Sequence, residues 1–294
     1  MSELPLAGVR VLSLAVNLPG PAAAARLQEL GASVTKVEPP SGDPLMAATA
    51  TYYEQLAAGQ QVVQIDLKSD IESLWSLLGE TDLLIVSSRP SALARLGLDW
   101  ASIHTRLPRL CQVSIVGHPG GGAEIAGHDL TYQAAVGTVS PPQLPTVLIA
   151  DLAGAERVVA DGLAALLHAA RSGAGVHREV ALSDVARSMA QPVSHGLTGP
   201  GGALGGALPC YGIYDTADGF IAVAALEAHF WSGLITQLGV EGSRCELEVA
   251  FQGRTAIEWE NWAHEHGLPI AAIRAPGHPG GGRTSATTTP DDRA

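Results

Sequence analysis

The chain has 294 residues, of which 46% are hydrophobic and 16% charged, and carries a formal net charge of −12. That composition excludes an intrinsically disordered chain and supplies enough apolar mass for one large domain or two modest ones. The acidic balance opposes general nucleic-acid binding and docking on anionic lipid, since both need clustered Lys and Arg.

Cys111, Cys210 and Cys245 are widely spaced, show no metal-ligand spacing and fit a reducing compartment. The N-terminus lacks the features of a secretory signal, and no apolar run reaches the roughly 18 residues that a membrane span needs. A soluble, cytoplasmic protein with no metal site and no membrane or nucleic-acid partner is expected.

Residues 8–15 (GVRVLSLA) read as a buried strand. The turn Asn17-Leu18-Pro19-Gly20 follows, and Pro21 can open a helix that Gly31 stops. Residues 33–38 (SVTKVE) are the next strand, so the opening is a β-α-β unit with a right-handed crossover. Strands are expected at 61–66, 83–86 and 110–116, with helices at 71–79 and 90–97. The alternation predicts an α/β layer architecture.

A glycine-rich segment at 117–127 marks a boundary or a mobile active-site loop. Helices are then expected at 129–136 and 152–170, a strand at 176–182 and a helix capped by Ser183 and Asp184. A second glycine-rich loop covers 197–208, a hairpin 211–223, and helices about 228–238 and 255–266. The tail from 276 is nearly free of apolar residues and is expected to be disordered. These divisions predict a large domain at 1–190, a smaller one at 191–275 and a tail at 276–294.

Several side chains carry candidate chemistry, each beside a plainer reading. His128 ends the first glycine-rich segment; it is either a cap or surface residue, or a general base with an intrinsic pKa near neutrality. Asp151 follows an apolar run and opens a long helical pattern. It suits an N-cap, and equally an acid, base or nucleophile at a helix start. Glu227 lies within AALEAHF and either orients a histidine or faces water. Lys36, Lys68, Arg89 and Arg95 are candidate phosphate ligands, though singly each suits a surface charge. The turn after the first strand reads NLPGPAAA rather than GxGxxG, which argues against a dinucleotide site.

At these residues the sequence resembles the family III CoA-transferases, a group that includes formyl-CoA transferase, carnitine-CoA transferase and α-methylacyl-CoA racemase. The opening LAGVRVLSLAVNLPGPAAAARLQELGASVTKVEPPSGDPL is similar to the family's N-terminal block. IDLKSD, SSRPSALARLGLDW and LCQVSIVGHPG match later blocks, and the likeness runs over about residues 4–274. AGHDLTY, IADLAGA and PCYGIYDTADGFIAVAALEAHF point to the racemase branch and put His128, Asp151 and Glu227 at its functional positions; Tyr211 and Asp218 fall on the same motif.

The resemblance implies a Rossmann-like large domain with a parallel sheet, a smaller α/β domain, and two chains interlocked as a homodimer. It implies an acyl-CoA substrate with no prosthetic group, contacted by Lys36, Arg89, Lys68, Pro19 and Gly20. His128 and Asp151 would exchange the α-proton of a thioester, Glu227 would hold the imidazole, and backbone N–H groups near Asp151 would meet the enolate oxygen. Two alternatives stay open: a CoA-transferase with Asp151 as nucleophile, and a degenerate CoA-binding protein. The second arises because Gln60 and Gln61 stand where relatives carry cations, the 137–151 segment is shortened, and the C-terminal part is shorter than in relatives.

Overall fold

The computed structural model describes residues 4–275. The expected tail at 276–294 lies outside the described residues. Of the described residues, those up to Gln191 form one compact unit and those from Pro192 form a second.

The first unit is built on a six-stranded sheet: β1 (Arg10–Ser13), β2 (Ser33–Glu38), β3 (Gln61–Gln64), β4 (Leu83–Val86), β5 (Cys111–Val116) and β6 (His177–Ala181). Their order is β3-β2-β1-β4-β5-β6 and every pairing is parallel. β4 reads LLIV and β5 CQVSIV, and every residue of both is buried, as a sheet covered on two faces requires. Strand alternation divides the core. Val11, Leu83, Ile85, Val113 and Ile115 face the helices Pro19–Glu29 and Ile149–Ser172. Leu12, Leu84 and Val86 face the helices Ile71–Leu78, Pro90–Arg95 and Trp100–Arg106. The mixed α/β fold with a parallel sheet is therefore as expected.

The strand order reverses between β1 and β4, and in open parallel sheets ligands bind beyond the carboxyl ends of the strands at such a switch point. The turn after β1 occupies that place. Asn17 adopts φ +69°, and its N–H donates to Asp43 Oδ1 at 3.0 Å. Pro19 and Gly20 are buried at the start of the first helix. A Cβ on Gly20 would lie 2.2 Å from that of Ala15, so this glycine is required by close packing of the helix start on the segment that follows β1.

Some elements were not expected from the sequence. The helices Pro44–Ala48, Ala50–Ala57 and Arg244–Phe251 are short, and Asp43 and Ser243 cap two of them through side-chain oxygens. The helix expected to start at 152 begins at Ile149. Part of the loop expected at 197–208 closes into a helical turn, Ala203–Ala207.

The second unit holds an antiparallel sheet of β7 (Tyr211–Asp215), β8 (Phe220–Ala224) and β9 (Ile270–Ala272) in that order. Tyr214, Ile221 and Val223 pack with Leu234, Leu247, Phe251 and Trp259 from its helices. Among the described residues, no helix is long and apolar enough to cross a membrane.

Candidate active site

His128 is the N-cap of the helix Asp129–Ala135. Its backbone N–H donates to Thr131 Oγ1 at 3.1 Å, and the Thr131 hydroxyl donates back to the His128 carbonyl at 2.7 Å. These contacts cap the helix through the His128 backbone, and the residue is exposed. The ring borders a cavity of about 220 Å³ at the carboxyl ends of β4 and β5, together with Ser87, Ser88, Arg89, Gly117 and Tyr132. Gly117 and Gly127 make room for Tyr132: a Cβ on either would come within 2.6 Å of its ring or hydroxyl. The glycine-rich segment carrying His128 is pinned at two points. Glu124 accepts from the Ser91 N–H at 2.7 Å and from its hydroxyl at 2.9 Å, and the Gly120 N–H donates to Glu179 at 3.1 Å.

Asp151 is the third residue of the helix Ile149–Ser172, whose N-cap is Leu148, so it is not the cap itself. It is half-buried, and its pKa is pushed up to about 6, first by burial and then by the charge of Asp129. The capping is done by Asp129, which is buried: its Oδ2 accepts from the N–H of Ala150 at 2.7 Å and of Asp151 at 3.0 Å. Gln133 Nε2 donates to the other oxygen of Asp129 and, at 3.0 Å, to the Val147 carbonyl. The Ala150 and Asp151 N–H groups are therefore engaged and do not serve as the expected oxyanion donors. Tyr132 is close enough to both carboxylates that burial, Asp151 and Asp129 all raise its proton affinity.

The sequence reading missed Asp129, Gln133 and Tyr132. Its one available signal was an acidic residue in the first turn of a helix, which describes many surface residues. That Asp129 reaches another helix start 21 and 22 residues onward is a tertiary fact.

The cation candidates separate. Lys36 is 1% exposed, and its Nζ is hydrogen-bonded to Glu38 Oε1 and Asp43 Oδ2. It also lies 4.7 Å from the Tyr53 ring, whose hydroxyl donates to Glu38 at 2.7 Å. Lys36 is thus a structural ion-pair residue rather than an exposed phosphate ligand. Lys36→Met is expected to destabilise the fold by about 3–5 kcal/mol, because it strands two buried carboxylates. Urea unfolding measures this; a phosphate ligand would instead lose CoA affinity with its stability unchanged.

Pro19 and Gly20, also expected at the cofactor, are packed against the chain itself. Lys68 and Arg95 are exposed and border a second, larger cavity of about 530 Å³ beyond β1, β2 and β3. Its walls are mostly apolar, among them Leu14, Val37, Pro39 and Leu93, and Ser88 borders both cavities. Arg89 stands at the smaller one. None of Lys68, Arg89 and Arg95 is ion-paired among the described residues. Gln61 is exposed at the start of β3, and the Gln60 side chain is turned back onto the Leu56 carbonyl at 2.7 Å. Glu227 is in the second unit, exposed at the N-cap position of the helix Ala228–Leu238, with no side-chain capping bond. Among the described residues, no group of three or more His, Cys, Asp or Glu could hold a metal ion.

Residues 6–278 match the sequence model of CoA-transferase family III. The chain belongs to that family. It is 33% identical over 251 residues to succinate–glutarate CoA-transferase of Agrobacterium fabrum, a match that covers 75% of this chain and 63% of that protein. It is 30% identical over 265 residues to the α-methylacyl-CoA racemase of Mus musculus, covering 83% of this chain and 68% of the racemase. A crystal structure of the Mycobacterium tuberculosis protein Rv3272 superposes with a TM-score of 0.81 at 26% identity, covering 93% of this chain and 86% of that one. The chain thus spans under two thirds of the Agrobacterium enzyme's length. Family III therefore includes both a racemase and a transferase among this chain's relatives.

Proposed function

We propose that this family III chain is an acyl-CoA racemase or epimerase that exchanges the α-proton of a 2-substituted acyl-CoA thioester. The observation that carries the reading is an exposed imidazole, His128, at the start of a helix whose first residue grips the start of the helix carrying Asp151. Exchange at one carbon needs a group that takes a proton and another that returns one. A carboxyl pushed up to about 6 holds a proton more readily than an ordinary carboxylate, so Asp151 can return a proton as well as take one.

The adjoining cavities fit an extended CoA ester. The larger one, apolar with Lys68 and Arg95 at its edge, suits the nucleotide and its phosphates. The smaller one, with Arg89 and His128, suits the thioester end. The Asp129 and Leu130 N–H groups begin the helix after His128 and donate to no acceptor among the described residues. They take the oxyanion role first expected nearer Asp151. A catalytic role for Glu227, the homodimer and a cytoplasmic location belong to the same proposal.

A second reading has its own support, because the 33% identical Agrobacterium relative is a CoA-transferase. There the Asp151 carboxylate would attack the thioester carbonyl, expel CoA thiolate and form a mixed anhydride. Incubation with a 2-methylacyl-CoA in D₂O tests the leading reading. Deuterium at the α-carbon is expected; a folded, CoA-binding protein that incorporates none overturns it.

A further inference from the structure

We infer that Asp129 is a positioning residue that fixes Asp151 relative to His128. The inference rests on the proposed pairing of those two groups. Asp129 is one covalent step from His128 and one hydrogen bond from Asp151, whose own N–H it accepts at 3.0 Å. Its Oδ2 also takes the Ala150 N–H at 2.7 Å, so it holds the first turn of the long helix at two adjacent points. Its other oxygen is held by Gln133, which also donates to the Val147 carbonyl at 3.0 Å and so ties down the segment leading into that helix. The residue is 3% exposed, and neither Asp129 nor Asp151 is ion-paired among the described residues.

A purely structural cap does not explain this choice of residue. Serine, threonine or asparagine would satisfy the same helix start without charge. A buried carboxylate with no cation carries a desolvation penalty, and here it also repels a second carboxylate. What the charge adds is an effect on Asp151, whose proton affinity it raises. Among the described residues, the titratable groups that act on Asp151 or are acted on by it are Asp129 and Tyr132, both on the helix Asp129–Ala135. Asp129 thus sets both where the Asp151 carboxyl starts and how tightly it holds a proton.

Two variants test this. Asp129→Asn keeps an acceptor oxygen at the helix start and removes the charge. Asp129→Ala removes both. Asp151 is followed by carbon-13 carboxyl NMR titration, and α-proton exchange of a 2-methylacyl-CoA is measured across pH. In Asp129→Asn, the Asp151 titration is expected to move down from about 6 toward the ordinary carboxylate range. The acid limb of kcat should move with it, while KM stays within about twofold, because the cap is retained. In Asp129→Ala, kcat is expected to fall by about 10²-fold, since small displacements of reacting groups have effects of that size.

An unchanged Asp151 titration in Asp129→Asn overturns the inference. So does a loss confined to KM or to thermal stability, which would leave Asp129 a cap and nothing more. If Asp129→Ala does not fold, Asp129→Asn decides alone. If the wild type exchanges no proton, the racemase reading fails, yet the NMR titration still decides whether Asp129 tunes Asp151.

Discussion

His128→Ala is expected to lower α-proton exchange about 10³-fold, within the range that a positioned acid or base contributes. The residue is exposed, and its hydrogen bonds with Thr131 at 3.1 and 2.7 Å are made by the His128 backbone. Alanine keeps those contacts, so thermal stability should change by no more than about 0.5 kcal/mol. The substitution therefore isolates chemistry from folding. It also separates the two enzymatic readings, since a mixed anhydride on Asp151 forms without a histidine. Exchange in D₂O and CoA transfer to a free acid are measured on the same preparation. Loss of exchange with CoA binding intact supports the racemase. Exchange that survives at wild-type rate rejects His128 as a proton carrier.

Asp151→Asn is expected to abolish both exchange and transfer while making the protein more stable above pH 6. The carboxyl's pKa is raised from 3.8 to about 6 in the folded state. A raised value means that the native state holds this proton more tightly than the unfolded chain does. The associated stability is fully present below pH 3.8 and is lost as pH rises through 6. Above that window the wild type keeps a charged, half-buried carboxylate beside Asp129, at a penalty of about 3 kcal/mol for a shift of about two units. Asparagine removes that penalty. Its advantage in thermal or urea unfolding should be near zero below pH 4, grow between 4 and 6, and level off above. A variant no more stable than wild type at pH 8 would show that the carboxylate is not held under strain.

The fold was largely legible because its elements obey local rules. GVRVLSLA, LLIV and CQVSIV are continuous apolar runs of strand length, and Pro and Gly punctuate the helix between β1 and β2. His128 and Asp151 were legible as residue types at a loop end and a helix start. Two things were not. Lys36 as a lone cation suggests a phosphate ligand, although the period of two in SVTKVE places Lys36 and Glu38 on one side of β2, a signal that the charge is used internally. Asp129 was passed over because its partners are other residues' backbone N–H groups, which no side-chain pattern records. A residue's type suggests what it can do, but its burial and long-range partners decide whether that capacity is free.

The larger cavity bears on how the protein is made. All of its walls come from residues between Leu14 and Leu96. The smaller cavity needs residues through Tyr132, Asp151 follows later still, and β6, which completes the sheet, comes only at His177. The ribosome therefore delivers every residue that lines the larger cavity before it delivers His128 or Asp151, so the two parts of the proposed site enter the folding chain in a fixed order.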